Sequence, residues 1–238
     1  MVYAQCSSPV FKTSIEEFGA IAVLSPHPDD ETLGCGSLLT SAFRTTQALV
    51  FCITNGDQSH PNSRLYPSEK LARVRKQELI RAVRLLGGKA ENIEWMGYGD
   101  TQAPREADEQ NRAAKRIAAR CSEYQIRTLF TSAKEDGHKD HKATNQIAYK
   151  VKALLPSLRV LEYPIWSRWE GKEFTSDSES KVFRLESPSF EPKKRMALSV
   201  YQSQFGNLIL DDPSGFKPPK SFVDFFASQP ELFVERMG

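Results

Sequence analysis

Charge of one sign is what this chain most plainly lacks: 32 basic and 30 acidic residues leave a net +2 over 238 residues. That balance offers no broad surface to a polyanion or an acidic membrane, so no nucleic-acid partner is expected. Long apolar runs are missing as well. No stretch approaches the roughly 20 residues of a membrane span, and the N-terminal residues show no basic segment followed by an apolar core. The expectation is a cytoplasmic protein with no membrane span. Cysteine is scarce. Cys6, Cys35, Cys52 and Cys121 are widely spaced with no CxxC pair, which reads as reduced, structural thiols. Only Cys35 lies close enough to a motif to be watched as a pocket residue. No internal repeat or low-complexity tract is visible.

What is present suits an ordinary core: 39% hydrophobic, 26% charged and 10% aromatic residues. Short β-branched runs, Ala20–Leu24, Ala48–Thr54, Ile93–Met96, Arg127–Thr131 and Arg159–Tyr163, read as strands. Between them helices are expected at Glu31–Phe43, Ser68–Leu86, Ala107–Tyr124 and Lys142–Leu155. This alternation predicts an α/β fold: a Rossmann-like open, mainly parallel sheet with helices on both faces. We expect one domain over residues 1–238, with a core near 20–166 and a small C-terminal lid or edge elaboration over 167–238. In that elaboration Gly171–Ser180 reads as a solvated turn before a strand at Lys181–Leu185. A helix is expected from Glu191 to about Gln204, and Pro218-Pro219 leads into an amphipathic segment, Phe222–Phe226.

Histidine is rare too, four in all, yet three of them fall in two short segments. These are Pro26-His27-Pro28-Asp29-Asp30-Glu31 and Gly137-His138-Lys139-Asp140-His141. Each follows a predicted strand, as do Asn55-Gly56-Asp57 and Asp100. In an open parallel sheet such turns share the carboxyl edge where ligands bind, so segments distant in sequence meet in one crevice. Hydrolytic zinc sites keep three protein ligands from His and carboxylate and leave a position open. His27, Asp30 and His141 supply that set. Asp29, beside a ligand and not needed as one, is the candidate general base. His138 is expected to act as an imidazolium that stabilises the oxyanion and protonates the leaving amine. Asp140 is expected to hydrogen-bond His138 and raise its pKa.

Blander readings stand beside these. A lone His-x-x-Asp or His-x-x-His is common, and Glu31 reads as an acidic residue suited to a helix N-terminus. Arg75 and Glu78 project from the apolar face of their helix, where charges are either paired with one another or functional. Asp100 serves either a turn or a ligand. Tyr163 and Trp166 are either core or a platform for a sugar ring. His60, in a Pro/Ser/Asn loop, reads as solvated.

The segment Ser25 to Gly34, Ser-Pro-His-Pro-Asp-Asp-Glu-Thr-Leu-Gly, resembles the AHPDDExLG signature of the PIG-L/LmbE-like deacetylases. Gly137–His141 resembles their HxDH motif. Arg75-Lys76-Gln77-Glu78 with Leu86-Gly87, Gly97–Asp100, Glu162–Trp166 and Lys193–Gln204 are similar to further family segments, so the resemblance covers roughly 20–204. It implies a Rossmann-like metallohydrolase that removes N-acetyl groups, mostly from N-acetylglucosaminyl conjugates. It implies zinc or another divalent metal such as Fe2+, with His27, Asp30 and His141 as ligands, Asp29 as base, and His138 with Asp140 assisting. It also implies that Arg75 and Asp100 contact substrate. Pro26 replaces the usual Ala, and Asp136 stands where some members carry an oxyanion-stabilising Tyr.

The resulting expectation is hydrolytic release of acetate from a small N-acetylated sugar conjugate. Amidase action on another acyl group, of the thiol-conjugate type, is the nearest rival. A phosphoesterase recruiting Asp57, Asp100 or Asp136 for a second metal is a further one, and a sugar-binding homologue without chemistry is the last. A homo-oligomer is left open.

Overall fold

The computed structural model describes residues 10–172, 180–185 and 190–236. Its strands are β1 (Val10–Thr13), β2 (Ile21–Ser25), β3 (Ala48–Thr54), β4 (Ile93–Tyr98), β5 (Thr128–Ser132), β6 (Arg159–Tyr163), β7 (Lys181–Leu185) and β8 (Glu231–Glu235). The helices are α1 (Asp30–Thr45), α2 (Ser68–Leu86), α3 (Ala107–Glu123), α4 (Lys139–Leu154), α5 (Trp166–Trp169), α6 (Glu191–Ser199) and α7 (Lys220–Ser228). All eight strands form one sheet in the order β1-β7-β8-β6-β5-β2-β3-β4. Pairing is parallel from β6 through β4 and between β1 and β7; β8 runs antiparallel to both β6 and β7.

Strand composition explains the layering. Along β2, Ile21 and Val23 face one core with Val50, Cys52 and Phe130, which α1, α2, α6 and α7 cover. Ala22 and Leu24 face the other with Leu49, Phe51 and Leu129, covered by α3 and α4. Such strands are apolar on both faces, as burial under two helical layers requires. Each fully buried Leu, Ile or Phe contributes roughly 1.5–3 kcal/mol. Gly34 lets α1 approach the sheet: a Cβ there would stand 2.3 Å from Cδ2 of Tyr163. The Tyr163 hydroxyl donates to the Leu24 carbonyl at 2.6 Å. Tyr163 is therefore core, not a sugar platform.

The parallel strands progress outward from β2 to β3 and β4, then return to the other side of β2 with β5 and β6. The point of reversal lies between β2 and β5, and at its carboxyl edge an α/β sheet opens a crevice. Both histidine motifs emerge there.

The expected α/β fold is what is found, and the predicted elements agree to within a few residues. Two differences matter. The helix from Glu191 stops at Ser199, and Tyr201–Phe205 continue as turns. Strands β1 and β8 were not expected, and β8 makes the sheet mixed. The predicted turn Gly171–Ser180 falls mostly outside the described residues, as does Cys6. Cys35, Cys52 and Cys121 are buried and free, and Cys35 lines no part of the pocket described below. No helix among the described residues is long and apolar enough to cross a membrane.

Candidate active site

The turn from β2 into α1 carries the first motif. Asp29 occupies the position before the helix with φ 143° and ψ −29°, a region an L-residue enters only under strain. The surrounding contacts hold it there. Its N–H donates to Glu31 Oε2 at 3.0 Å. Glu31 is fully buried and also accepts from the hydroxyls of Ser25, Thr32 and Tyr201. The expectation that Glu31 merely decorates a helix end is corrected: it is an internal bracket for the motif.

Asp30 is the meeting point of the metal-ligand candidates. Its Oδ2 lies 3.2 Å from His27 Nδ1 and 3.2 Å from His141 Nε2. Two ligands about 2.0–2.1 Å from one tetrahedral zinc are themselves about 3.3 Å apart, so this spacing fits a single ion. The His141 Nε2 atom is buried and has no hydrogen-bond partner. An imidazole nitrogen left so is costly unless something else takes its lone pair. The other nitrogen of each histidine faces carboxylate. His27 Nε2 lies 3.2 Å from Asp140 Oδ2 and 3.3 Å from Asp100 Oδ1, and His141 Nδ1 lies 2.9 Å from Asp136 Oδ2. Histidines that bind metals are ordinarily oriented in this way. Burial opposes a charge on His141, yet Asp30 and Asp136 raise it to about 9, and Asp30 is itself held below the usual carboxylate range. The carboxylates favour a cation at His141 Nε2, a place that either a proton or a metal ion can take. The donor set therefore fits a divalent ion.

His138 caps the N-terminus of α4, its Nδ1 accepting from the Asp140 N–H at 3.2 Å. Two expectations change here. The Asp140 carboxylate faces His27 and accepts from Thr101 N at 2.7 Å and Ala103 N at 3.2 Å; its link to His138 runs through the backbone. An imidazolium at His138, the second expectation, is disfavoured by its surroundings. Burial, reinforced by His27 and His141, brings it down to about 4. A neutral ring whose Nδ1 accepts must carry its proton on Nε2.

Arg75 pairs with Asp29, not with Glu78. Its Nη2 lies 2.9 Å from Asp29 Oδ2 and 2.9 Å from the Pro28 carbonyl, while Nη1 donates to the Gly56 carbonyl at 2.9 Å. Gly56 has φ +62°, and a Cβ there would meet Arg75 Nη1 at 2.5 Å, so both turn and guanidinium need glycine. Glu78 instead accepts from Ser203 N at 2.8 Å and from the Ser203 hydroxyl. Burial pushes the Asp29 carboxyl well above the usual range, with Arg75 opposing. His60 is 5% exposed, packed on Gly215 and not solvated.

These groups floor a pocket of about 200 Å³. His27, Asp29, Asp30, Arg75, Asp100 and His138 line it. Aromatic residues line it as well: Trp166, Phe205, Phe216 and Phe222 with Pro218, joined by Gln58, Ser59, Thr101 and Gln204. Trp166 stacks on Phe222 at 5.0 Å and meets Phe216 edge-on at 5.7 Å. Phe205, Phe216, Pro218 and Phe222, from the C-terminal part of the chain, thus belong to the pocket lining. Phe205, Phe216 and Gln58 had no chemical signature in the sequence; Trp166, Gln204 and Phe222 lay in segments already singled out.

Two-metal chemistry finds little footing. Asp57 Oδ1 accepts the Asp100 N–H at 2.8 Å, and Asp136 lies behind His141. His27, Asp100, His138 and Asp140 do bring ligand atoms within 4.8 Å of one another. His27, His138 and His141 do so too, and His27 Nε2 is the atom beside Asp100 and Asp140.

No curated protein matches the chain in a sequence comparison. Solved structures do. N,N'-diacetylchitobiose deacetylase from Pyrococcus horikoshii, complexed with its inhibitor MPG, has a TM-score of 0.66 at 20% identity, covering 92% of this chain and 85% of its own. A deacetylase triple mutant of the teicoplanin biosynthetic pathway gives 0.71 at 18% identity, covering 91% and 97%. The zinc-inhibited form of teicoplanin deacetylase Orf2 gives 0.64 at 17%, covering 91% and 97%. At such identities these likenesses establish the fold. The family model for GlcNAc-PI de-N-acetylase, PIG-L, matches residues 22–152, which hold both histidine motifs and more than half of the chain. The chain belongs to the PIG-L family.

Proposed function

We propose that this protein is a divalent-metal hydrolase that removes the acetyl group from an N-acetylated amino-sugar conjugate. The observation that carries the reading is the convergence of His27 Nδ1, Asp30 Oδ2 and the buried, orphaned His141 Nε2, with His27, Asp30 and Asp29 lining the pocket. When bound, the ion would polarise the amide carbonyl and acidify water. Zinc is the first choice from the donor set, Fe2+ the second.

The residues divide the remaining work. Asp29, anchored by Arg75 and held in one backbone conformation by Glu31, takes a proton from the attacking water. Asp29 returns that proton to the nitrogen as the C–N bond breaks, giving acetate and a free amine. His138, neutral with its proton on Nε2, donates a hydrogen bond to the oxyanion. The sequence reading assigned protonation of the leaving amine to His138; the lowering of its pKa by burial favours Asp29 for that step. Asp100 and the aromatic wall face the sugar conjugate, and Arg75 acts through Asp29.

An amidase acting on another acyl group remains the second reading, because the pocket floor is the same for either. The test is primary-amine release by purified protein with one equivalent of zinc over a panel of N-acetylated sugar conjugates. The expected result is metal-dependent release that is lost in Asp29→Ala. Silence across the panel with metal bound would overturn the sugar reading in favour of another amide.

A further inference from the structure

Asp136 takes no part in the chemistry above, yet it is fully buried two residues before His138. Its carboxylate accepts four hydrogen bonds from two different parts of the site. Oδ2 accepts from His141 Nδ1 at 2.9 Å and from Ile165 N at 3.2 Å; Oδ1 accepts from Ser167 N at 2.9 Å and Ser167 Oγ at 2.7 Å. Ile165 and Ser167 bracket Trp166, which lines the pocket. One group therefore grips the ring of a metal-facing histidine and the turn that presents the aromatic wall.

We propose that Asp136 is a positioning residue that sets metal affinity and the placement of Trp166 together. This rests on the reading of His141 as a metal ligand. By accepting from Nδ1 it holds the His141 proton on that nitrogen, which leaves the Nε2 lone pair for the ion. By accepting from Ile165 and Ser167 it fixes the start of α5 and hence the angle of the indole. The position that resembles an oxyanion-stabilising site in other members thus has a structural duty here. Asp136 is sealed from the pocket and cannot reach an oxyanion.

Asp136→Asn separates this from simple stabilisation. Its amide oxygen can still serve Ser167, but its NH2 group meets the Nδ1–H of His141, favouring the tautomer with the proton on Nε2. The expected result is a zinc Kd weaker by about 10–100-fold, read by competition with a chelating dye on folded protein. The emission contributed by Trp166, obtained by difference against Trp166→Phe, should also move to the red. Ser167→Ala keeps the His141 contact, so zinc Kd should stay within about twofold while the Trp166 shift remains. Wild-type zinc affinity in folded Asp136→Asn, or an unmoved Trp166 signal in both variants, overturns the proposal. Should Asp136→Asn not fold, ring 15N spectra of the unmodified zinc protein decide the matter. The proton must be on Nδ1 of His141, and finding it on Nε2 sinks the idea. None of these readouts requires a substrate, so failure of the deacetylase reading leaves them interpretable.

Discussion

The guanidinium of Arg75 lies 2.9 Å from the Asp29 carboxylate, with the two side chains only 3% and 9% exposed. Burial raises the Asp29 pKa and Arg75 opposes that rise. Replacing Arg75 with Met removes the opposing charge, so the Asp29 pKa rises further. A base is active only when deprotonated, so the acid limb of the kcat profile should move to higher pH. Leaving one partner of a buried pair also costs about 3–5 kcal/mol, readable by urea denaturation. An acid limb that stays in place in folded enzyme would show that Asp29 is not the base.

Asp29 also stores backbone strain at φ 143°. Glycine adopts that conformation freely, whereas alanine keeps the steric conflict. Asp29→Gly and Asp29→Ala should both lose turnover, but the glycine variant should be the more stable by about 1 kcal/mol, within the 1–3 kcal/mol of such strain. Equal midpoints in chemical denaturation would contradict the strained geometry.

An ion that binds only the folded protein raises its melting temperature. Zinc at one hundred times its Kd contributes about 2.7 kcal/mol. Chelation should lower Tm by the corresponding amount and abolish amide hydrolysis, with both restored on adding zinc back. His141→Ala should lose the zinc-dependent part of Tm.

The Glu231 carboxylate accepts from Ser37 N at 2.7 Å and Leu38 N at 2.9 Å, where α1 breaks at Cys35, and pairs with Lys194 at 2.7 Å. It serves the second half of α1 as an N-terminal cap supplied from another strand. Glu231→Ala leaves Lys194 buried without this partner, and a loss of about 3–5 kcal/mol is expected in denaturant titration. Replacing both residues, as Glu231→Leu with Lys194→Met, should recover part of that loss.

The parallel sheet was legible because its strands are apolar runs with alternating faces, and the helices because their periodicity is strong. The clustering of His27, His138 and His141 was legible because histidine is rare and falls in two strand-end segments. What stayed hidden depends on tertiary contact. Nothing local shows that Glu31 turns inward to Tyr201, that Asp140 faces His27 instead of His138, or that Arg75 chooses Asp29 over Glu78. His60 read as solvated because its loop is polar, yet Gly215 leaves a recess for its ring. Strand β8 is a short run that follows Pro230, with no local sign that two other strands wait on either side of it.

Strand β8 lies between β6 and β7, and β7 in turn carries β1. Its Glu231 also reaches α1, across 194 residues to Ser37. During synthesis β2 through β6 can pair as each one emerges from the ribosome. The β1–β7 edge cannot join that sheet until β8 has been made. Helix α1 and strand β1 thus wait on a segment made well after them, and until it arrives β6 presents an open edge to any chain nearby. The period in which the β6 edge is exposed to aggregation therefore lies between the synthesis of β6 and that of β8.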